Sequence, residues 1–287
     1  MEPLTDISFT VPVSPDLEED KIWRQRVSPA LGGVPANVLG ICHYGFTEMV
    51  NNVIDHSDAG ELFVEVKHST AAITMNIFDD GVGIFNKIQN AFGLEDHRHA
   101  ILDLAKGKLT TDPERHTGEG IFFTSRMFDT FFIRSGRLRF FHEEPHGDWL
   151  IEETEGVQGT RITLEIDPQS KRTTREVFDK FASSEDEYGF SRTHLFVSLA
   201  QHKEENLISR SQAKRLLARL DRFKEVFLDF TGIKTIGQAF ADEIFRVFAH
   251  QNPHINLFWR NANDEVEKMI RRAMAVQNNS SSSGESA

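Results

Sequence analysis

Three patches of this 287-residue chain carry side chains whose types and spacing could do chemistry. The first is FTEMVNNVIDH at 46–56, where Glu48, Asn52 and His56 recur every four residues and Asp55 falls between the last two on a helical wheel. On a helix this spacing draws a polar stripe about 100° wide along an otherwise apolar cylinder. A carboxylate there can orient a water or a hydroxyl, and an amide oxygen can enter the shell of a hard divalent cation. The second patch, IFDDGVGIF at 77–85, ends an apolar strand in Asp79-Asp80-Gly81-Val82-Gly83. An acid at a strand end can accept a hydrogen bond from an exocyclic amine, and two glycines one residue apart let the backbone approach a flat ligand. The third is HTGEGIFFTSR at 116–126, with Gly118 and Gly120 just ahead of a helical pattern. Open N–H groups and the helix dipole favour phosphate at such a start. Taken singly, each patch has a plainer reading: a solvated helix face, an Asp-Gly turn, a glycine before a helix.

The elements that must position these groups follow from periodicity. Residues 8–13 read as an edge strand, with Pro12 tolerated because an edge N–H need not be paired. Residues 16–26 read as a charged helix, acidic early and basic late. A longer helix is expected from Pro35 to Asp55, with Val38, Cys42, Met49 and Val53 on its apolar side. Runs 61–68 and 71–78 alternate like the strands of a hairpin. Two weak helical patterns occupy 84–117, a lid-length segment, and a further helix fits 120–128. Strand-like runs come at 130–134, 137–142 and 160–166, with another near 149–153. Helices first and antiparallel strands after suggest an α/β sandwich with helices on one face.

Read in order, the three patches resemble the N-box and the two glycine motifs of the GHKL superfamily of gyrases, heat-shock chaperones, histidine kinases and MutL proteins. Gly159-Thr160, entering the run GTRITLEI, resembles that superfamily's closing element. The likeness spans roughly residues 8–167 and is closest to the anti-sigma-factor kinase branch. It implies an α+β sandwich of Bergerat ATPase type over residues 1–167, with ATP and Mg2+ as ligands. By the same likeness Glu48 is the general base, Asn52 the magnesium ligand and Asp79 the acceptor for the adenine amine. Gly81 and Gly83 would let the base approach, Gly118 and Gly120 would cradle phosphates, and Thr160 would join the hydrogen bonds near adenine. Asp55, His56, His116 and Thr117 are further candidates. Phe122 departs from the pattern, because members often carry Gly or Ala there, and no lysine can be matched to the phosphate-sensing one of the gyrase and MutL branch.

Residues 168–175 have a linker's composition, after which strands and helices alternate: strands at 194–200, 225–230 and 255–259, helices at 209–222, 237–250 and 263–276. In FLDFTGIKTIGQAFADEIFRVF a buried strand leads into a helix with Phe240, Ile244, Val247 and Phe248 on one side. This stretch resembles STAS-type domains, in particular the STAS-like family of unknown function, over residues 176–276. Where the anti-sigma-factor antagonists, which share that fold, carry a phosphorylated Ser, this chain reads Thr235-Ile236-Gly237-Gln238-Ala239, and Thr231 and Thr235 are read as shaping a turn. A small α/β docking or output domain is expected, followed by a disordered tail at 277–287.

Composition narrows the function classes. A net charge of −12 argues against a sequence-independent hold on nucleic acid. It leaves ATP open, since a magnesium ion and backbone N–H groups can carry phosphate charge. The single cysteine, Cys42, cannot form an internal disulfide, and no run approaches a membrane span or a secretory signal. The expectation is a cytoplasmic, membrane-free regulatory protein. ATP hydrolysis, protein Ser/Thr kinase activity and nucleotide-gated binding without turnover all stay open. Protein partners would come through the STAS-like domain, and a second copy of the chain is a further candidate.

Overall fold

Alternating residues pair into two separate sheets, one in each of the units into which the chain divides, Met1–Lys180 and Phe181–Ala287. The computed structural model describes residues 4–110, 117–144, 146–182, 189–201 and 205–281. Among these, no helix is long and apolar enough to cross a membrane.

The first unit opens with strand β1 (Thr5–Pro12), then the short helices α1 (Glu19–Ile22) and α2 (Ser28–Ala30) joined by a π-helical turn, Trp23–Val27. Helix α3 (Ala36–His56) leads into the hairpin β2 (Glu61–His68) and β3 (Ile73–Asp79). Helices α4 (Ile84–Phe92), α5 (His97–Lys106) and α6 (Gly120–Met127) follow, then strands β4 (Thr130–Glu143) and β5 (Gly147–Ile166) and helix α7 (Thr174–Phe181). The sheet is antiparallel throughout in the order β1-β2-β3-β5-β4, with β1 at an edge as Pro12 suggests. The expected apolar face of α3 is buried: Val38, Cys42, Met49 and Val53 are all nearly inaccessible. Burial pushes the Cys42 thiol up to about 12, so it is inert at neutral pH.

Two sequence expectations change here. The runs at 130–134 and 137–142 are one strand, and so are 149–153 and 160–166, because the glycine-containing gaps are register shifts rather than turns. Gly136 takes φ +55° at the shift, which a side chain would resist. The polar stretch after Asp167 is not loose either. Asn37 Nδ2 donates to the carbonyls of Ser170 and Arg172 at 2.8 and 2.9 Å, and Phe178 of α7 lies 4.6 Å from the ring of Phe123. Residues 168–180 therefore pack with the first unit.

Helix α6 is held from both sides. On one, Gly45 of α3 lets it approach so closely that a Cβ at that position would overlap the Phe128 ring and press on Thr124. On the other, Arg126 donates to Asp148 Oδ2 at 2.9 Å, and His142 Nδ1 lies 2.6 Å from Asp148 Oδ1. All three side chains are buried, and the Arg126 guanidinium lies 4.5 Å from the Phe122 ring. Although its burial opposes charge, Asp148 is held below the usual carboxylate range by Arg126 and His142. Burial, reinforced by Arg126, holds His142 below the ordinary imidazole value, and its Nε2 has no hydrogen-bond partner among the described residues.

The second unit contains strand β6 (Arg192–Phe196), helix α8 (Arg210–Leu217), strand β7 (Glu225–Asp229), helices α9 (Gln238–Asp242) and α10 (Ala249–Gln251), strand β8 (Asn256–Arg260) and helix α11 (Asp264–Ser281). Its sheet is parallel, in the order β6-β7-β8. The helix after β7 includes a π-helical turn, Glu243–Phe248, which advances the buried face. Phe240, Ile244 and Phe245 are buried, while Val247 and Phe248, expected on that face, are only half-buried. Helix α11 runs to Ser281, into the stretch expected to be a disordered tail; residues 282–287 lie outside the described residues.

Gly45→Ala should destabilise the protein by roughly 1–3 kcal/mol in chemical denaturation, the usual cost of overpacking. A second outcome concerns pH. Because the folded pKa of His142 is depressed, the unfolded chain takes up a proton near pH 6.5 that the folded chain refuses, so this stability is present above that pH and lost below it. The loss of unfolding free energy between pH 7 and pH 5 should be smaller in His142→Gln than in the wild type.

Candidate functional site

The open end of the first unit's α3–sheet layer holds a cavity of about 280 Å³, close to the lower end of the roughly 300–1,000 Å³ usual for small-molecule sites. The expected site residues that line it come from four separate parts of the chain. Helix α3 contributes Glu48, Asn52 and His56; the end of β3 contributes Asp79; the turn into α6 contributes Thr117, Gly118 and Gly120; and β5 contributes Thr160. Asp55, although it falls inside the helical stripe, is exposed and does not line the cavity. Gly81 and Gly83 do not line it either. His116 lies outside the described residues.

Asp79 is tied to the turn that follows it and to the neighbouring strand. Its Oδ1 accepts from Gly81 N–H at 2.9 Å and from Thr160 N–H at 3.3 Å, its register partner across β3 and β5. Thr160 Oγ1 in turn accepts from Ile84 N–H at 3.0 Å, fixing the start of α4. Burial raises the Asp79 pKa above the ordinary carboxylate value, with those hydrogen bonds pulling the other way. The adjacent Asp80 turns outward instead and accepts from Gly60 and Glu61 N–H, which hold its carboxyl below the usual range.

The glycines serve close packing of the protein on itself. At Gly81 a Cβ would overlap the Ser57 carbonyl oxygen, which accepts from Val82 N–H at 2.9 Å and so locks the end of α3 to this turn. At Gly83 φ is +83° and a Cβ would press on Ser135 Oγ. Gly118, with φ +73°, lies against the Leu109 backbone, and a Cβ on Gly120 would overlap Glu48 Oε2. The Glu48 carboxylate thus sits at the N-terminus of α6. Asn52 Nδ2 is buried with no hydrogen-bond partner among the described residues.

Several lining residues escaped the sequence reading. Ile84 and Ile88, one turn apart on α4, form an apolar wall with Ile162, and Leu104 and Leu109 come from the segment after α4. The i, i+4 spacing of Ile84 and Ile88 right after Gly83 was a readable signal. Leu104 and Leu109 had none, because only the packing of α5 aims them. Lys87 reaches the rim, 2.6 Å from Asp58 Oδ2. Glu119, between the two flagged glycines, also lines the cavity, and burial raises its pKa against the pull of Lys108 and Thr117. The hydroxyl of Tyr44 is pushed up by burial and by Glu48 and Glu119. Among the described residues no group of three or more His, Cys, Asp or Glu could hold a metal by itself.

What the arrangement offers is a desolvated acceptor at one end, apolar walls, and a helix start flanked by carboxylates at the other. The raised Asp79 pKa implies that its ionised form costs folding stability at neutral pH and none below the unfolded value, the penalty appearing as pH rises through the folded pKa. Asp79→Asn should therefore melt at or above the wild-type temperature at pH 7 in the absence of ligand. That advantage should shrink as pH falls towards 4.

In the second unit a polar cluster closes the C-terminal ends of the parallel strands. Asp229 at the end of β7 accepts from Thr231 N–H and Oγ1–H at 2.9 and 2.6 Å, from Arg260 Nε at 2.9 Å and from Asn261 Nδ2, with His194 Nε2 at 3.0 Å. Despite burial, these bonds hold its carboxyl well below the usual range. The Thr231 hydroxyl is thereby spent on a strand-end turn, as its sequence position suggested. A search of curated proteins finds no match to this chain. The family described as a STAS-like domain of unknown function (DUF4325) matches residues 212–267, from within α8 through β7, α9 and β8 into α11, so the second unit carries a STAS-like domain.

Proposed function

We propose that the first unit binds Mg–ATP in a Bergerat-type pocket of the gyrase, chaperone, histidine-kinase and MutL superfamily, and that the chain is a regulatory ATPase whose nucleotide state is read by the STAS-like domain. The observation that carries this reading is that Glu48, Asn52, Asp79, Gly118, Gly120 and Thr160, separated by up to 112 residues, line one cavity. Asp79 would accept from the adenine amine, a role that suits a carboxylate already kept from water. Ile84, Ile88 and Ile162 would flank the base. The N–H groups at the start of α6 would face the phosphates.

The residues present also fit the metal. Magnesium is usually held by one or two protein groups together with substrate phosphates, so a side-chain cage is not required. Asn52 lines the cavity and its buried amide nitrogen has no hydrogen-bond partner among the described residues, so the side chain is not locked to the protein through that group and its oxygen would be offered to the ion. Bound there, the ion would neutralise phosphate charge. Glu48, whose Oε2 lies at the α6 N-terminus, would take a proton from a water or a protein hydroxyl at the phosphate end.

A non-hydrolysing, nucleotide-gated module is the second reading, and the anchoring of α6 favours it. Phe122 and Arg126 fix that helix in the interior, which limits how far the phosphate loop can adjust. A protein Ser/Thr kinase differs from both in the fate of the terminal phosphate.

Calorimetry with Mg–ATP should show binding to the wild type that Asp79→Asn weakens about a hundredfold, as expected when a buried charge-assisted acceptor is lost. Unchanged affinity would remove the pocket assignment. With γ-labelled ATP, label on protein marks the kinase and free phosphate marks the hydrolase. Glu48→Ala should abolish either signal, and a wild type no more active than Glu48→Ala would leave the gated module standing.

A further inference from the structure

The phosphate end of the cavity is acidic in a way that the proposed ligand does not call for. Glu119 sits between Gly118 and Gly120, whose own positions are fixed by the Leu109 backbone and the Glu48 carboxylate, so the loop has little freedom to turn Glu119 away. It occupies the N-cap position of α6, yet its side chain accepts no capping hydrogen bond from the helix, so its charge is not spent on the helix start. Half-buried and lining the cavity, it shares the α6 N-terminus with Glu48, and the charges of both oppose ionisation of the Tyr44 hydroxyl. Lys108 and Thr117 offset part of that charge.

We propose that Glu119 is a specificity-determining residue of this pocket: its carboxylate opposes each phosphate charge brought to the start of α6, so bare triphosphate is rejected and the metal-neutralised nucleotide is admitted. This rests on the ATP reading above. The physical basis is repulsion between like charges a few ångströms apart at an effective dielectric near 20, strong enough to shift affinity by an order of magnitude or more. Repulsion grows with phosphate number and fades once a divalent cation sits between the partners, whereas loss of packing would affect every ligand alike.

The test compares wild type, Glu119→Gln and Glu119→Ser by calorimetry with adenosine, ADP and ATP in EDTA, and with ATP in excess Mg2+. Both variants should bind metal-free ATP about tenfold or more tightly than the wild type, ADP about threefold and adenosine within about twofold; with Mg2+ the gain for ATP should fall to about threefold or less. Glu119→Asp should behave as the wild type. A gain that is absent, or equal for adenosine and ATP, overturns the role of Glu119 while leaving the pocket intact if wild type still binds Mg–ATP. Failure of every protein to bind any of the ligands overturns the pocket and this role together.

Discussion

A carboxylate kept partly from water, at the end of an inner strand, is an awkward thing for a small sheet to accommodate. Asp79 is tolerated because the backbone is arranged around it: Gly81 and Thr160 N–H groups point at one of its oxygens, and the Thr160 hydroxyl passes the constraint on to the first turn of α4. The turn can take that shape only because Gly81 has no side chain to meet the Ser57 carbonyl. Through Ser57 the same turn grips the end of α3, so the helix bearing Glu48 and Asn52 and the strand bearing Asp79 are placed by one small set of contacts. The most costly member of this network is the group that faces the cavity, because burial disfavours its charge.

The opposite end of the cavity depends on a different principle. Helix α6 is fixed by close backbone approach at Gly45 and by a buried charge network of Arg126, Asp148 and His142. Buried ions of this kind contribute little net stability compared with an apolar replacement, but they define geometry, because breaking one pair leaves a charge stranded. The start of α6 is thereby referenced to the β4–β5 ribbon, and the glycines ahead of it inherit that position. Glu48 and Glu119 both line the cavity beside that helix start.

Much of this was legible before any coordinates. The four-residue spacing of Glu48, Asn52 and His56 announced one helical face, and those residues do share a wall; Asp55 satisfied the same wheel but lies too far towards solvent, since a wheel gives direction and not depth. Strand alternation located every strand of the first sheet, yet Gly136 and the segment before Gly159 suggested breaks where the chain only shifts register. Local pattern cannot distinguish a bulge from a turn, because both want glycine. In the second unit Phe245 was missed for a similar reason: the π-helical turn adds a residue to the cycle and moves the face. Lys87 and Leu104 depend on how α4 and α5 fold back, which no window of sequence encodes. The STAS-like match is confined to part of the second unit, residues 212–267.

Helix α5 is enclosed along most of its length. From Ala100 to Lys106 seven consecutive residues are inaccessible, including the ion pair between Asp103 and Lys106 at 2.8 Å. A helix wetted on one side could peel back a turn at a time; one enclosed all round must leave as a block, hydrating leucines and an ion pair at once. Local opening of this helix is therefore concerted, its cost set by exposing the whole buried stretch together.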